Sequence, residues 1–292
     1  MSYSSAVSLY TLDAPEDLVS PTLISALDGW VDSGSAATSA AAQLAGDGPV
    51  VATFDADVLF DYRARRPTLD IVDGRLAELT WPELTIRHSR LGERDLLVLT
   101  GAEPDFRWRE FADAVVELVG RLGVVEWISL GAIPAAVPHT RAVPIMGTES
   151  EPGLLRANVQ PGPKGVLRVP SAALSVLEMT LARAGTPAVG YFAQIPHYVS
   201  GPYAVATLAL LRAVESHLGI EIPTGALDEE ARQLRTRLDL ATGADEATRA
   251  YVERLESMVD EERLPAGDEL ISEIERFLRD RGAPGGPGTL PN

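Results

Sequence analysis

Five short apolar segments divide the first 223 residues, and they constrain the fold more than any other feature of the sequence. They are Leu23–Leu27, Val50–Phe54, Leu96–Thr100, Val124–Leu130 and Ala188–Ala193. None of them alternates cleanly between apolar and polar residues, a pattern typical of strands that helices cover on both faces. The segments therefore predict the central sheet of an α/β protein, with a mostly parallel strand arrangement.

Helical patterns separate several of these segments. Arg107–Leu122 is amphipathic, whereas Ser171–Ala184 and Pro202–Leu218 are apolar on most sides and should be deeply packed, with Pro202 in a first helical turn. The apolar face of the first pattern consists of Phe111, Val115, Leu118, Val119 and Leu122. The segment Thr80–Leu91 predicts a β-hairpin. Strands alternating with helices predict a three-layer α/β/α sandwich around a mixed, mostly parallel sheet.

The pattern changes after Pro223, where apolar residues recur at spacings of four and three. They form three groups: Leu227, Ala231, Leu234, Leu238 and Ala241; Tyr251, Leu255 and Met258; and Leu270, Ile274 and Phe277. These spacings indicate amphipathic helices. We expect a core domain at residues 1–223, a helical C-terminal subdomain at 224–281 and a disordered, Gly/Pro-rich tail at 282–292.

The composition narrows the possible functions. A net charge of −17 and a pI of about 4.6 argue against nucleic-acid binding. The absence of Cys excludes disulfides and thiol chemistry, and no segment has the roughly 18 apolar residues of a membrane span. The N-terminus has neither a basic start nor a long apolar run. We therefore expect no signal peptide, no membrane partner and a soluble, cytoplasmic protein.

In open α/β sheets, ligands bind beyond the carboxyl ends of the strands, so the loops after the strands are the first places to search for a site. The first such loop, DGWVDSGSAA, leads into a helix. Asp32 or Ser33 suits an N-cap, and the free N–H groups of the next turn suit an anion. Capping alone also explains these two residues, and both interpretations stay open.

The loop after the third strand, TGAEPDFRWREF, places Glu103 and Asp105 beside Arg107 and Arg109. Paired carboxylates can divide acid and base roles. The alternative is a helix start with acids near the positive end of the helix dipole.

Two later loops, GAIPAAVPHTR and AQIPHYVSGPY, each contain Pro-His after a strand. His139 and His197, with Arg141 and Tyr198 beside them, are candidates for bases or for partner contacts. The two His are 58 positions apart without a third ligand at helical spacing, so we expect no metal site. The alternative is that a hydrogen bond holds each imidazole in a rigid turn.

A basic run, Arg63, Arg65 and Arg66, interrupts this acidic chain in DYRARRPTLDIVDG. Arginine forks suit phosphate and carboxylate ligands. Nearby aspartates nearly cancel the charge, and Pro67 biases Arg66 toward extended backbone. We expect a loop that leads into a short strand, with ion pairs to acids of the same or a neighbouring subunit. An anion clamp is the alternative.

No catalytic motif accompanies these residues. The sequence has no G-x-S-x-G elbow, no P-loop, no H-E-x-x-H and no Cys nucleophile. We therefore assign no catalytic residue, metal or cofactor, and the sequence does not establish an enzyme.

Five blocks in order resemble those of the proteasome assembly chaperone 2 family, specifically its actinobacterial branch. They are DGWVDSGSAA, DYRARRPTLDIVDG, LTGAEPDFRWREF, GAIPAAVPHTR and AQIPHYVSGPY. The resemblance covers roughly residues 6–220, and the helical tail is also typical of that branch. Of the 25 basic residues only Lys164 is Lys, a bias typical of the G+C-rich genomes of actinobacteria.

The resemblance implies a phosphorylase- or hydrolase-like α/β/α fold and a homo-oligomer, with a trimer as one form. Eukaryotic and archaeal relatives bind proteasome α-subunits and guide ring assembly. Those that dock into the α-ring use a C-terminal hydrophobic–Tyr–X tail, whereas this sequence ends TLPN. We therefore do not expect docking by such a tail, and side-on chaperoning stays open.

Three functional hypotheses follow. The first is a non-enzymatic oligomeric protein that binds a protein partner, with proteasome α-subunits as candidates. The second is a small-anion or nucleoside-like ligand-binding protein, or an enzyme, in which an arginine named above converges with the helix start at Asp32 and Ser33. The third is a homo-oligomer whose loops serve only its own interface.

Overall fold

The computed structural model describes residues 8–15, 17–156, 159–163 and 165–260. The strands are β1 (Tyr10–Leu12), β2 (Thr22–Asp28), β3 (Val50–Phe54), β4 (Thr68–Val72), β5 (Arg75–Thr80), β6 (Leu84–Leu91), β7 (Arg94–Ala102), β8 (Glu126–Ala135), β9 (Ile145–Glu149), β10 (Gln160–Pro161) and β11 (Ala188–Pro196). The helices are α1 (Ala36–Ala45), α2 (Ala56–Leu59), α3 (Trp108–Leu122), α4 (Ala173–Arg183), α5 (Ala204–Leu218), α6 (Leu227–Gly243) and α7 (Glu246–Asp260). All five apolar segments predicted as strands fall in strands, although β8 begins two residues later than predicted.

Nine strands form one mixed sheet in the order β1-β3-β6-β7-β2-β8-β11-β9-β10. The four central strands, β7, β2, β8 and β11, are parallel. The strands β1, β3 and β6 on one side are antiparallel to their neighbours, and on the other side β9 is antiparallel to β11 while β10 is parallel to β9. The predicted mixed sheet is confirmed, with its continuous parallel part at the centre.

Helices cover both faces of this sheet. Ile24 of β2 and Val98 of β7 pack with α1 and α5 in one hydrophobic core. Their chain neighbours Leu23 and Leu99 enter a second core with α3 and α4. Because successive side chains of a strand point to opposite faces, a strand between two helical layers is mostly apolar on both faces. This explains the missing alternation and confirms the three-layer α/β/α fold.

Two local predictions are wrong. Pro202 does not lie in a first helical turn, because α5 begins at Ala204 with Tyr203 as its N-cap residue. The segment Thr80–Leu91 is not a hairpin. Thr80 ends β5, which pairs with β4, whereas β6 pairs with β3 and β7. Each half of the segment thus pairs with a different partner.

The hairpin β4–β5 forms a separate two-stranded sheet, and every residue of both strands is exposed. Leu69 pairs with Leu79, and Ile71 pairs with Leu76 across a bulge. The register therefore gathers four apolar side chains on one face of the hairpin.

The described C-terminal residues are helical, as predicted. Helix α6 packs against α5, and α7 packs against α6. Ala231 and Leu255 of the predicted apolar seams are buried. The third predicted helix, with Leu270, Ile274 and Phe277, and the tail at 282–292 lie outside the described residues. The division into a core and a helical subdomain stays a prediction. Within the described ranges, no helix is both long and apolar enough to cross a membrane.

Candidate functional site

The parallel strands β2 and β7 are neighbours whose connections diverge. β2 leads into α1 on one face of the sheet, whereas β7 leads into α3 on the other. In open α/β sheets, the crevice at such a switch point is the usual place for a ligand. A cleft of about 430 Å³ lies there. It is lined by Asp28, Thr38, Arg65, Pro82, Glu83, Thr100, Gly101 and Ala102.

Gly101 lets β7 and the residues before β6 approach each other beside this cleft. Its φ of 139° favours glycine, and a Cβ at this position would collide with the carbonyl oxygen of Glu83. A side chain at residue 101 would therefore push Glu83 away from the end of β7.

Arg65 connects the two sides of the cleft. Its Nη2 donates a hydrogen bond to the backbone oxygen of Asp28 at 3.2 Å. Its guanidinium also lies 3.7 Å from the Asp28 carboxylate and 3.8 Å from the Asp105 carboxylate. Arg65 thus pairs with acids of its own chain, which was one of the two expectations for the basic run.

The other two arginines of the run do not reach this cleft lining. Arg63 and Arg66 are exposed, and neither forms an ion pair with a described residue. The local backbone is a tight turn, in which the amide of Arg63 donates to the Asp61 carboxylate and the amide of Arg65 to the Asp61 carbonyl. The three arginines therefore do not form a common clamp.

Glu103 connects the loop after β2 to the start of α4. Its carboxylate accepts hydrogen bonds from the amide of Ala173 at 2.6 Å and from the amide of Trp30 at 3.2 Å. A Cβ at Gly29 would collide with the Glu103 side chain, so a larger residue there would require Glu103 to shift. Glu103 thus holds a helix start, although that helix is α4 rather than the α3 that follows it in the chain.

Asp32 caps α1 across a short 3₁₀ turn at Ser33–Ser35. Its carboxylate accepts hydrogen bonds from the amides of Ala37 and Thr38 and from the Thr38 hydroxyl, at 2.8, 3.2 and 2.5 Å. Burial raises the pKa of Asp32, although the hydrogen bonds from Thr38 and Ala37 act in the opposite direction and favour the charged form. Because Asp32 occupies the N–H groups that an anion would need, capping accounts for this residue. The Ser33 side chain bonds to no described residue.

His139 lies in a hydrogen-bonded network at the end of β8. The ring is 1% exposed. Its Nε2 lies 3.2 Å from the Asp239 carboxylate of α6, and its Nδ1 lies 2.7 Å from the Tyr198 hydroxyl. A carboxylate only accepts, so Nε2–H donates, and in a neutral imidazole Tyr198 then donates to Nδ1. The backbone amide of His139 also donates to the Tyr198 hydroxyl oxygen at 2.8 Å.

The second Pro-His loop meets α7 in a similar way. Nδ1–H of His197 donates to the carbonyl of Ala135 at 3.1 Å, and the Tyr251 hydroxyl lies 3.2 Å from Nε2. Rings of His139 and His197 both make edge contacts with Tyr198, with centroids 5.8 Å apart in each case. The fold therefore brings the two predicted His loops together around one Tyr.

Arg141 belongs to this second group as well. Its Nη1 lies 3.0 Å from the Glu256 carboxylate of α7, which also accepts a hydrogen bond from Thr140. Helices α6 and α7 thus contact both His loops. We call the ends of β8 and β11, over which α6 and α7 lie, the covered half of the edge formed by the carboxyl ends of the parallel strands. The cleft beside β2 and β7 is the open half of that edge.

The candidate residues therefore lie in two separate groups rather than in one site. Arg65 lines the open half, whereas His139, His197 and Tyr198 lie in the covered half, and Arg141 pairs with α7. Sequence reasoning missed Glu83 in the cleft, and also Asp239, Tyr251 and Glu256, which cover the second half. Glu83 lies in the short link between β5 and β6, and the others belong to helices with many surface acids, so no local pattern distinguishes them.

Comparison with known proteins places this geometry in a family. The sequence model of the PAC2 family matches residues 26–242, well over half of the chain. The match ends one residue before the end of α6, so α7 lies outside it. None of the curated proteins that were compared matches significantly.

Solved structures from actinobacteria are similar over most of the chain. A protein of unknown function from Mycobacterium tuberculosis is 33% identical, with a TM-score of 0.82, and the alignment covers 94% of this chain and 97% of that one. A PAC2 family protein from Streptomyces avermitilis is 36% identical, with a TM-score of 0.72 and coverages of 80% and 99%. A proteasome-assembly chaperone homologue from M. tuberculosis is 34% identical, with a TM-score of 0.73 and coverages of 79% and 99%. The chain belongs to the PAC2 family.

Proposed function

We propose that this chain is a non-enzymatic, homo-oligomeric chaperone of the proteasome-assembly type, which binds a protein partner, with proteasome α-subunits as the first candidate. Its similarity to a proteasome-assembly chaperone homologue supports this partner. The arrangement of the side chains suited to acid–base chemistry supports the non-enzymatic part. His139, His197 and Tyr198 bond to the chain's own loops and helices.

The observation that carries the proposal is the exposed hairpin β4–β5. Its four apolar side chains, Leu69, Ile71, Leu76 and Leu79, are between 41% and 74% exposed. An isolated two-stranded hairpin is at best marginally stable in water. Contiguous exposed apolar side chains mark surfaces for protein contacts. The hairpin therefore suits a protein-binding surface.

We assign the hairpin to a second copy of this chain, because its apolar face and the charges on its other face both suit a symmetric contact. Arg63 and Arg66 precede the hairpin and have no ion pair within the described residues. Asp70 and Glu78 are exposed and lie opposite each other across its two strands. Because strand side chains alternate, they are on the face opposite to the four apolar side chains. Two like charges in that position repel. Arginines from a second copy would neutralise them, as a symmetric interface allows.

The partner is tested by capture of purified proteasome α-subunits from the host and by the kinetics of proteasome assembly with and without this protein. We expect capture, together with a change in the rate or yield of assembly. The absence of both would contradict the proposed partner.

The oligomer is tested with Arg66→Ala and Leu76→Ser, which change exposed side chains, and with Arg183→Ala as the control at the end of α4. We expect both hairpin variants to shift the oligomer toward the monomer in native mass spectrometry, and the control to stay as the wild type. An unchanged oligomer in all three would contradict the assignment.

The alternative of a small-anion or nucleoside-like ligand stays a prediction. The cleft is the place where such a ligand would bind, but Arg65 shares it with Asp28 and Glu83. A thermal-shift screen against nucleosides, phosphate and small carboxylates tests this alternative, and a flat panel counts against it.

A further inference from the structure

Glu178 of α4 joins two strands of the sheet that are not neighbours. Its side chain is partly buried between the helix and the sheet. One carboxyl oxygen lies 3.2 Å from the hydroxyl oxygen of Ser129 in β8, and the other lies 2.8 Å from that of Thr148 in β9. Because β11 lies between β8 and β9, one side chain of α4 spans three strands.

The register of these strands makes room for the carboxyl group. Gly190 of β11 pairs with Ser129 on one side and with Thr148 on the other, so the three residues lie side by side across the sheet. A Cβ at residue 190 would collide with the hydroxyl oxygens of both Thr148 and Ser129. Glycine at this position therefore lets both hydroxyls reach the same carboxyl group.

No described charged group pairs with Glu178. The elements packed against α4 are α3, β2, β8 and β11. The charged side chains of α3 are all exposed, and β11 has none. Asp28 and Glu126 lie at the far ends of β2 and β8, and Glu149 ends β9. Burial raises the pKa of Glu178, and only the hydrogen bonds from Thr148 and Ser129 oppose that rise.

The two protonation states of Glu178 differ in what they cost. The ionised carboxylate accepts from both hydroxyls but places a charge inside the sandwich without a cation. The neutral carboxyl donates to the Ser129 oxygen, Ser129 then donates to the Val189 carbonyl at 3.4 Å, and Thr148 donates as before. The neutral state therefore satisfies every donor of the group without a buried charge.

We propose that Glu178 is a proton-controlled tie between α4 and β9, in which the neutral carboxyl holds the edge pair β9–β10 against the helix and ionisation loosens that contact. The folded state binds this proton more tightly than the unfolded state. The stabilisation is therefore complete below the ordinary pKa of 4.5 and is lost as the pH rises through the higher pKa of the folded state. The tie involves neither the hairpin nor the strand-end loops, so it does not depend on the proposed function.

The test uses the full-length protein with methionine methyl groups labelled for NMR, because Met146 lies in β9 and Met179 follows Glu178 in α4. Both methyl resonances are followed from about pH 5 to about pH 8.5, above the pI of about 4.6, where net charge keeps the protein in solution. We expect the two resonances to shift with one shared midpoint above 4.5. Met258 of α7 is the internal reference and should not share that midpoint.

Glu178→Gln is a permanently neutral match, since its amide donates to Ser129 and its carbonyl accepts from Thr148. We expect this variant to abolish the shared titration. At about pH 8 its β9 amides should be about tenfold better protected from hydrogen exchange than those of the wild type. Glu93→Gln removes an exposed carboxylate between β6 and β7 and should leave both measurements as in the wild type.

Thr148→Val cuts the tie on the β9 side only, and it tests the inference even where Glu178→Gln does not fold. Met179 should still titrate with Glu178, whereas Met146 should no longer follow it. Circular dichroism checks that each variant is folded. The inference is overturned by a wild type without a shared midpoint, by a shared titration that persists in Glu178→Gln, or by an unchanged Met146 titration in Thr148→Val. Equal protection of β9 in the wild type and Glu178→Gln at about pH 8 would overturn it as well.

Discussion

The open and covered halves of the strand-end edge are built alike and differ in what lies over them. Both follow the carboxyl ends of parallel strands, and both gather titratable side chains. In the covered half, helices α6 and α7 supply Asp239, Tyr251 and Glu256 as partners for the loops. In the open half, no described helix supplies such partners, and the Arg65 guanidinium lies 3.7 and 3.8 Å from the carboxylates of Asp28 and Asp105.

The difference teaches that a chemically rich loop is not by itself a site. His139, with its Pro-bounded loop, resembles a catalytic residue in sequence, yet a Tyr and an Asp use both of its ring nitrogens. No sequence pattern singles out Asp28 and Glu83, yet neither carboxylate accepts a hydrogen bond from a described residue. We therefore expect substitutions in the covered half to affect stability more than those in the open half.

We expect the largest effect from a substitution that removes the buried apolar contact by which α7 packs on the rest of the chain. Leu255 is 1% exposed, whereas Leu240 on α6 is 71% exposed. Leu255→Ala should cost about 3 kcal/mol of α7 docking, and Leu240→Ala less than about 0.5 kcal/mol. Hydrogen exchange of the α7 amides should accelerate about a hundredfold in the first variant only. Similar exchange in the two variants would show that the cover does not depend on this packing.

The same substitution in the two halves should have different costs. Tyr198→Phe leaves the amide and Nδ1 of buried His139 without a partner, at about 2 kcal/mol. Tyr62→Phe removes an exposed bond to Asp57, whose carboxylate then binds water, at less than about 0.5 kcal/mol. Urea unfolding measures both free energies, and equal values would remove the distinction between the halves.

Alkaline pH should reduce the contribution of Tyr198 to the free energy of unfolding. Burial raises the pKa of Tyr198 to about 12, from an ordinary value of about 10. The unfolded state therefore loses the proton first, so the stabilisation is complete below about pH 10 and falls as the pH rises toward about 12. Between pH 9 and pH 11, the unfolding free-energy difference between wild type and Tyr198→Phe should shrink by about 1 kcal/mol. A constant difference would contradict this.

The smallest expected effect concerns the arginine of the cleft. Arg65→Gln should change the free energy of unfolding by less than about 0.5 kcal/mol, because both of its ion pairs are long. Glu256→Gln in the covered half should cost about 1 kcal/mol, since Glu256 holds both Arg141 and Thr140. Unfolding in low and high salt gives both values. A larger cost for Arg65 would mean that the open half is structural as well.

The sequence predicted the layers of the fold well and the strand partners poorly. A strand that is buried on both faces appears in the sequence as a continuous apolar run. The five apolar runs therefore located β2, β3, β7, β8 and β11. The segment around Pro82 was mistaken for one hairpin because its two halves look alike locally. Pairing depends on strands outside the segment, because β5 pairs back with β4 and β6 pairs with β3 and β7.

For the site, sequence patterns located the loops but not their partners. The N-capping by Asp32 was among the expectations, because local spacing governs it. Ion pairs of Arg65 with its own chain were expected in general, but their partners Asp28 and Asp105 are distant in the sequence and were not identified. The contact of His139 with Asp239 was not expected, since it joins residues a hundred positions apart. No local spacing can indicate such a contact.

The sequence by itself determined the three-layer architecture, the amphipathic C-terminal helices and the family, because these depend on burial patterns and on blocks of residues that are contiguous in the chain. Only the tertiary structure decided which strand-end loops are covered. Docking of α6 and α7 places Asp239, Tyr251 and Glu256 over one half of the edge, while the diverging connections of β2 and β7 leave the other half open. The physical reason is that docking follows from the geometry of the assembled layers, which no single segment encodes.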